Sequence, residues 1–290
     1  MPEHESQKIT PDNKAAYDSN PFTLAFNALG RLFTTNVGWA IALLVVSFFV
    51  FIGQMMSNLI QIASKNSLQN SSQYSAPAAS THVASTTPVN VGLVVIIVLV
   101  LVLFVALIFT ISTAISVFIS GMFSYVAIQS EQGKSVNFSE AWSETTKRFW
   151  RLFKAQLLAG LKIIGWTMLF IVPGIVAAFR YTLLPFVIMG EPAKERGARS
   201  SHTLTKKLVK GRLMEVFGIA TVAGIVPFVG PVLRLSGNAA LYDQLNEYNT
   251  LNKQKPKIHW LNYLGLILLA ILLLLITLII VAIAVAYVHS

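Results

Sequence analysis

Along the chain, long apolar runs alternate with short polar joints that are mostly basic. Runs of spanning length fall at residues 37–62, 89–128, 155–172, 175–190 and 261–288, against the ~20 apolar residues a helix needs to cross a bilayer. Residues 213–245 read in two ways, as one span followed by a polar loop or as two short helices meeting at Pro227 to Pro231. The pattern predicts about seven membrane segments, or six if 213–245 is a single span.

A second periodicity lies in the joints. Phe138, Trp142, Thr145 and Phe149 recur at helical spacing, while Glu140, Ser143, Glu144, Lys147, Arg148 and Arg151 fall on other faces, which predicts an amphipathic helix. Phe22, Phe26, Leu29 and Phe33 repeat that spacing before the first pair of runs, with Arg31 in the place of Lys147. A fainter copy uses Leu204 and Leu208, and Lys206, Lys207 and Lys210 match Lys147, Arg148 and Arg151. The architecture expected is three repeats of basic amphipathic helix plus helical hairpin, closed by a C-terminal transmembrane helix. Hairpin apices are expected at Pro173 and Gly174 and at Pro227 and Pro231, because proline cannot continue a helix and glycine permits the reversal.

Composition fixes the class. Hydrophobic residues make up 54% and charged residues 12%, and mean hydropathy is +0.65, whereas soluble domains carry about 25% charged residues. This is the signature of an all-α integral membrane protein. The net charge of +10 does not point to nucleic acid, since the basic residues flank apolar runs and act as topology determinants. With the N-terminus cytoplasmic and 213–245 a hairpin, 18 of the 22 basic residues lie inside, Lys65 alone lies outside, and Lys162, Arg180 and Arg234 fall within spans. A single span would put Lys253, Lys255 and Lys257 outside, so charge favours the hairpin. The expected location is the cell membrane, as a multi-pass protein of a bacterial plasma membrane. Residues 1–19 read as a disordered cytoplasmic tail, 20–260 as the membrane domain with a disordered external loop at 64–90, and 261–290 as the last transmembrane helix. The first apolar run begins only near Val37, so a cleavable signal peptide is not expected.

Three stretches, "FIVPGIVAAFRYTLLPFVI", "GARSSHTLTKKLVKGRLMEVFG" and "NAALYDQL", resemble a bacterial family of six- to seven-span membrane proteins. That family is related to the membrane domain attached to some glycerophosphoryl diester phosphodiesterases and to the YciC-like membrane proteins. The resemblance covers about residues 138–245. It implies a membrane fold and no reaction, because in the fused relatives a separate soluble barrel carries the phosphodiesterase chemistry.

The residues themselves argue in the same direction. His4, His82, His202, His259 and His289 are scattered, with no metal-ligand spacing, no nucleophile elbow and no glycine-rich phosphate loop. There is no cysteine. Neither a metal nor a cofactor nor an enzymatic activity is expected, and Glu215 and Asp243 read as interfacial rather than as acid/base groups. Ser112, Ser116, Ser120 and Ser124 form a small-residue stripe that suits close helix packing, within the chain or against a second copy or another membrane protein. Lys162, Arg180 and Arg234 are the functional candidates, because an intramembrane charge costs roughly 2.5–3.5 kcal/mol even on lenient scales. Either they snorkel, or they bind an anionic ligand such as a phospholipid headgroup. The leading expectation is a non-enzymatic scaffold or membrane-organising protein interacting with anionic phospholipid. The alternative is a transporter or lipid-handling protein with an anionic site at the repeat interface.

Overall fold

A computed structural model describes residues 17–72, 91–191 and 197–289. The tail before Tyr17 and residues 73–90 of the expected loop therefore lie outside the described residues. The described chain is helical: α1 (Pro21–Thr35), α2 (Val37–Ser72), α3 (Val91–Glu131), α4 (Phe138–Leu169), α5 (Ile171–Tyr181), α6 (Leu184–Gly190), α7 (Ala198–Val209), α8 (Leu213–Ile225), α9 (Gly230–Thr250) and α10 (Leu264–His289). Five segments are long and apolar enough to cross a membrane: Val37–Lys65, Val94–Glu131, Phe138–Leu169, Ile171–Gly190 and Trp260–Tyr287. They coincide with the five apolar runs, because a continuous apolar run of that length leaves helix as the backbone's only self-satisfied form.

The joints hold the surprises. The amphipathic stretch at Phe138 and the span after it are one unbroken helix, α4, started by Asn137, whose side chain accepts from the Glu140 amide at 2.8 Å. By contrast α1 ends at Asn36 before α2 begins, and a left-handed Gly211 (φ +76°) separates α7 from α8. Segment 213–245 is resolved into two helices, α8 and α9, packed together as a hairpin. At 1.5 Å per residue, α8 is only about 20 Å long, short of the ~30 Å hydrocarbon core. Residues 64–72, expected as loop, continue α2 as helix. The end of the N-terminal tail is docked rather than free: Tyr17 is buried.

One expected apex moves. The chain reverses at Phe170, which is extended (φ −153°, ψ 128°), while Pro173 and Gly174 sit in the first turn of α5. Proline is tolerated there, where helix amides have no intrahelical partner. Gly174 is needed for proximity: a Cβ would lie 2.8 Å from the Thr167 Cα on α4. Between α8 and α9 the chain turns after Ile225, with Phe228 left-handed (φ +64°) and Pro231 in the first turn of α9.

Small residues set the core. Helix α9 lies at its centre, against α1, α3 and α8, and buries Gly237, Asn238, Ala239 and Ala240. A Cβ on Gly237 would meet the Ile219 γ-methyl at 2.9 Å and Ala25 Cβ at 3.3 Å, so α1 and α8 approach α9 almost backbone to backbone. Accordingly α1 buries Leu24, Ala25, Ala28 and Leu32, and α4 buries Ala141, Thr145, Leu152, Ala155 and Ala159. The aromatics of the expected stripes are divided: Phe26 is 46%, Phe138 62% and Trp142 51% exposed, while Phe22, Phe33 and Phe149 are half-buried and pack against the core. Within a bilayer such faces meet lipid, and close packing of small residues replaces hydrophobic exclusion as the force between helices.

Candidate functional site

The basic residues of the amphipathic segments are largely engaged within the protein. Arg31 on α1 donates through Nε and Nη2 to Glu131 at the end of α3, at 2.9 and 2.5 Å. Arg151 on α4 pairs with Glu191 just after α6 and donates to Ser201 Oγ on α7 at 3.0 Å. Arg148 pairs with Glu144 within α4. The first two pairs join separate elements, α1 to α3 and α4 to the end of α6.

A second network fastens the chain's start. The Tyr17 hydroxyl donates to Glu215 Oε2 at 2.6 Å, and Arg212 Nη1 donates to Glu215 Oε1 at 2.8 Å. Arg212 Nη2 also donates to the Pro256 carbonyl at 2.5 Å, and its guanidinium lies 5.3 Å from the Tyr17 ring centre. Burial, reinforced by the Glu215 charge, pushes the Tyr17 phenol well above its ordinary range. Glu215 is a structural anchor here, consistent with an interfacial rather than acid/base role.

Between the helices lies an open, mostly apolar cavity of about 410 Å³ with several polar side chains in its walls, within the ~300–1,000 Å³ typical of small-molecule sites. Helix α3 lines it with Ser120 and Ser124, α4 with Gln156 and Gly160, α5 and the following link with Tyr181 and Thr182, and α9 with Arg234 and Asn238. Each wall follows from local sequence: the serines are the inner half of the four-residue stripe, and Pro231 starts α9 one turn before Arg234. Ser124 and Asn238 are 1% and 3% exposed. Their Oγ and Oδ1 atoms, with the buried Gln156 Nε2, have no hydrogen-bond partner among the described residues. Leaving one such group unsatisfied costs about 1–3 kcal/mol. All three residues belong to the walls of the cavity, whose border also carries Arg234.

The three cations expected within spans fare differently. Arg234 borders the cavity, exposed, with no ion-pair partner among the described residues. Lys162 holds its amine 5.8 Å from the centre of the Tyr181 ring, which itself lines the cavity. Arg180 is half-buried at the end of α5 and is not part of the lining. Tyr181 packs edge-on against His202, ring centres 4.9 Å apart, and the His202 Nε2–H donates to the Ala155 carbonyl at 2.9 Å. Burial holds the His202 imidazole below its ordinary pKa, and the charges of Lys162 and Lys206 act in the same sense.

Sequence reasoning missed Gln156 and Asn238. The available signal was an asparagine between glycine and two alanines, "SGNAAL", in a segment packed closely enough to bury it. Ser112 and Ser116, the outer half of the stripe, are exposed. A separate apolar groove of about 830 Å³ runs between α2, α3 and α4, walled by Trp39, Phe118, Phe138, Trp142, Phe149 and Trp150. Among the described residues no group of three His, Asp or Glu side chains is arranged to hold a metal. No protein-family profile, curated protein sequence or solved structure matches the chain.

Proposed function

We propose that this is a lipid-handling protein of the cell membrane that holds an anionic phospholipid headgroup in the cavity beneath Arg234, without catalysis. The observation that carries the reading is an exposed arginine, Arg234, with no ion-pair partner among the described residues, at the border of a cavity large enough for a small headgroup. An anion there gains a charge-assisted hydrogen bond in a medium of low dielectric. The cavity lining contains no carboxylate, hydroxyl–imidazole pair or ligand cluster that would do chemistry on the bound lipid.

The orientation proposed places the N-terminus, the α3–α4 joint, α7 and the α9–α10 joint in the cytoplasm, as the positive-inside rule favours. Helices α8 and α9 then form a hairpin that enters from the inner face and returns to it. The three-unit repeat remains part of the proposal, supported by Arg31–Glu131 and Arg151–Glu191, each joining an amphipathic segment to the end of the hairpin that follows it. The resemblance of residues 138–245 to the phosphodiesterase-associated membrane domain is carried as a proposal about architecture only. A scaffold role is the second reading, favoured by the unburied apolar windows of α3 and α10, which leave two helices free to meet other membrane proteins.

Lipid retained after purification in a mild detergent tests the reading. Arg234→Gln is expected to lose most of the co-purified anionic phospholipid, whereas Arg180→Gln, outside the lining, keeps it. Equal loss in both variants points to a general effect of charge; retention by a folded Arg234→Gln protein removes the site.

A further inference from the structure

Granting the anionic-lipid reading and the orientation proposed with it, depth within the bilayer decides what becomes of the bound lipid. Paired charges mark one level of the fold. Glu131 pairs with Arg31 and lies within electrostatic reach of Asp243, and the charges of Asp243, Glu191 and Arg151 all act on Tyr242. Arg234 stands nine residues before Asp243 on α9, about 14 Å along the helix at ~1.5 Å per residue. Lys162 stands eleven residues beyond Arg151 on α4, about 16 Å away. Arg180 stands eleven residues before Glu191, through α5 and α6, a similar distance. From Arg151 to the turn at Phe170 is nineteen residues, about 28 Å, which matches a hydrocarbon core ~30 Å thick. With the ionic level at the inner boundary, all three cations lie about half way across.

A phospholipid at rest keeps its phosphate at a boundary, so a cation at mid-depth meets that phosphate only once the lipid has left its leaflet. We infer that the protein passes anionic phospholipids between the two leaflets, with Arg234 stabilising the phosphate where the bilayer itself does so least. The cavity suits a passage. It is open, Pro231 and Arg234 are exposed at its border, and Ser120, Tyr181 and Thr182 place polar groups in otherwise apolar walls. The headgroup crosses by way of the cavity while the acyl chains stay in the surrounding lipid. An opposite charge acts most strongly in a medium of low dielectric, at the depth where an ion is most costly. The movement is passive and runs both ways, since the boundaries are about equally distant and each lipid follows its own gradient.

The full chain, reconstituted in phosphatidylcholine vesicles with a trace of phosphatidylglycerol fluorescently labelled on one acyl chain, tests this. Dithionite does not cross the membrane, so it bleaches the outer leaflet alone in protein-free vesicles. With the protein present it should bleach both. Arg234→Gln should slow loss of the inner-leaflet signal about tenfold or more, as removal of one charge-assisted hydrogen bond to the crossing phosphate requires. Gly160→Phe fills the cavity and leaves Arg234 in place. A Cβ on Gly160 meets nothing within 4 Å, so the fold should accept the ring, and exchange should slow as much. Melting temperatures in detergent identify the folded variants. Phosphatidylglycerol that co-purifies with the protein but is bleached only in the outer leaflet overturns the exchange and leaves the headgroup site standing. Exchange that neither folded variant slows overturns the route through the cavity. Release of entrapped inorganic phosphate from the same vesicles, dependent on Arg234 and without lipid exchange, assigns the site to a free anion and rejects the lipid.

Discussion

Asn36, 5% exposed, shows how one side chain can organise a joint: its Nδ2 donates to Ser130 Oγ at 2.7 Å and to the Lys134 carbonyl at 3.0 Å, and its Oδ1 accepts from the Val136 amide at 2.7 Å. Glu215, 2% exposed, does the same for the N-terminus through Tyr17 and Arg212. Removing one member of a buried ion pair leaves the other uncompensated. Glu215→Ala is therefore expected to cost about 3–5 kcal/mol in thermal unfolding followed by circular dichroism, against about 1 kcal/mol for Tyr17→Phe, which deletes a single hydrogen bond. His202 gives a pH signature. Its folded pKa lies below the ordinary 6.5, so the folded state binds that proton less readily than the unfolded chain. Its contribution is full above about 6.5 and falls away as the pH drops through the window beneath that value. Between pH 7.5 and 5.5 the wild type should lose a few degrees of melting temperature more than His202→Gln, whose amide can still donate to Ala155. At this scale the sequence was legible only where cost was visible in one dimension. Arg234 announced itself as a charge within an apolar segment. Asn238 and Gln156 did not, because an amide becomes conspicuous only when its neighbours are known, and those sit on α3, α4 and α9.

Helix positions were legible because an apolar run has few ways to satisfy its backbone, but helix faces were not. Large aromatics at helical spacing would face the core of a soluble protein; in α1 and α4 Phe26, Phe138 and Trp142 face outward, and Ala25, Ala28, Ala141 and Ala155 are fully buried. Gly121 makes the logic concrete, since a Cβ on it would lie 2.7 Å from Leu152 Cδ2 and 3.0 Å from Thr145 Cγ2. Leu152→Ala should accordingly cost about 2–5 kcal/mol in detergent. Gly237→Ala, which pushes into Ile219 and Ala25, should cost about 1–3 kcal/mol through overpacking. Replacing outward Phe138 and Trp142 by serine should change the detergent melting temperature much less than either. Its effect belongs to the bilayer, as weaker protection of α4 from protease in native membranes. A larger detergent loss from the aromatic pair than from Leu152→Ala would reverse the assignment of faces.

For the molecule as a whole, charge must satisfy two demands at once. The chain carries 22 basic and 12 acidic residues; Glu131 and Glu191 pair with Arg31 and Arg151 on other helices, and Glu144 and Glu215 pair locally with Arg148 and Arg212. The first two tie helices together while the excess of cations still sets the orientation proposed, since that rule counts lysine and arginine and is little affected by acids. The excess was legible in sequence; the pairing was not, because Glu191 lies forty residues from Arg151 across a hairpin whose turn had first to be placed. The hairpin of α8 and α9 is where orientation can be tested. If α8 enters from the inner face and α9 returns to it, residue 254 is cytoplasmic although it lies only a few residues before a segment, Trp260–Tyr287, long and apolar enough to cross. The chain has no cysteine, so single-cysteine variants report without background. Gln254→Cys should resist an impermeant maleimide in intact cells and react once the membrane is opened. Lys65→Cys, exposed at the far end of Val37–Lys65, should react in both conditions. Reaction of residue 254 in intact cells would mean that 213–245 crosses the membrane once, which would put Lys253, Lys255 and Lys257 outside against the charge rule and leave α9 unable to return Arg212 and Tyr248 to the same face.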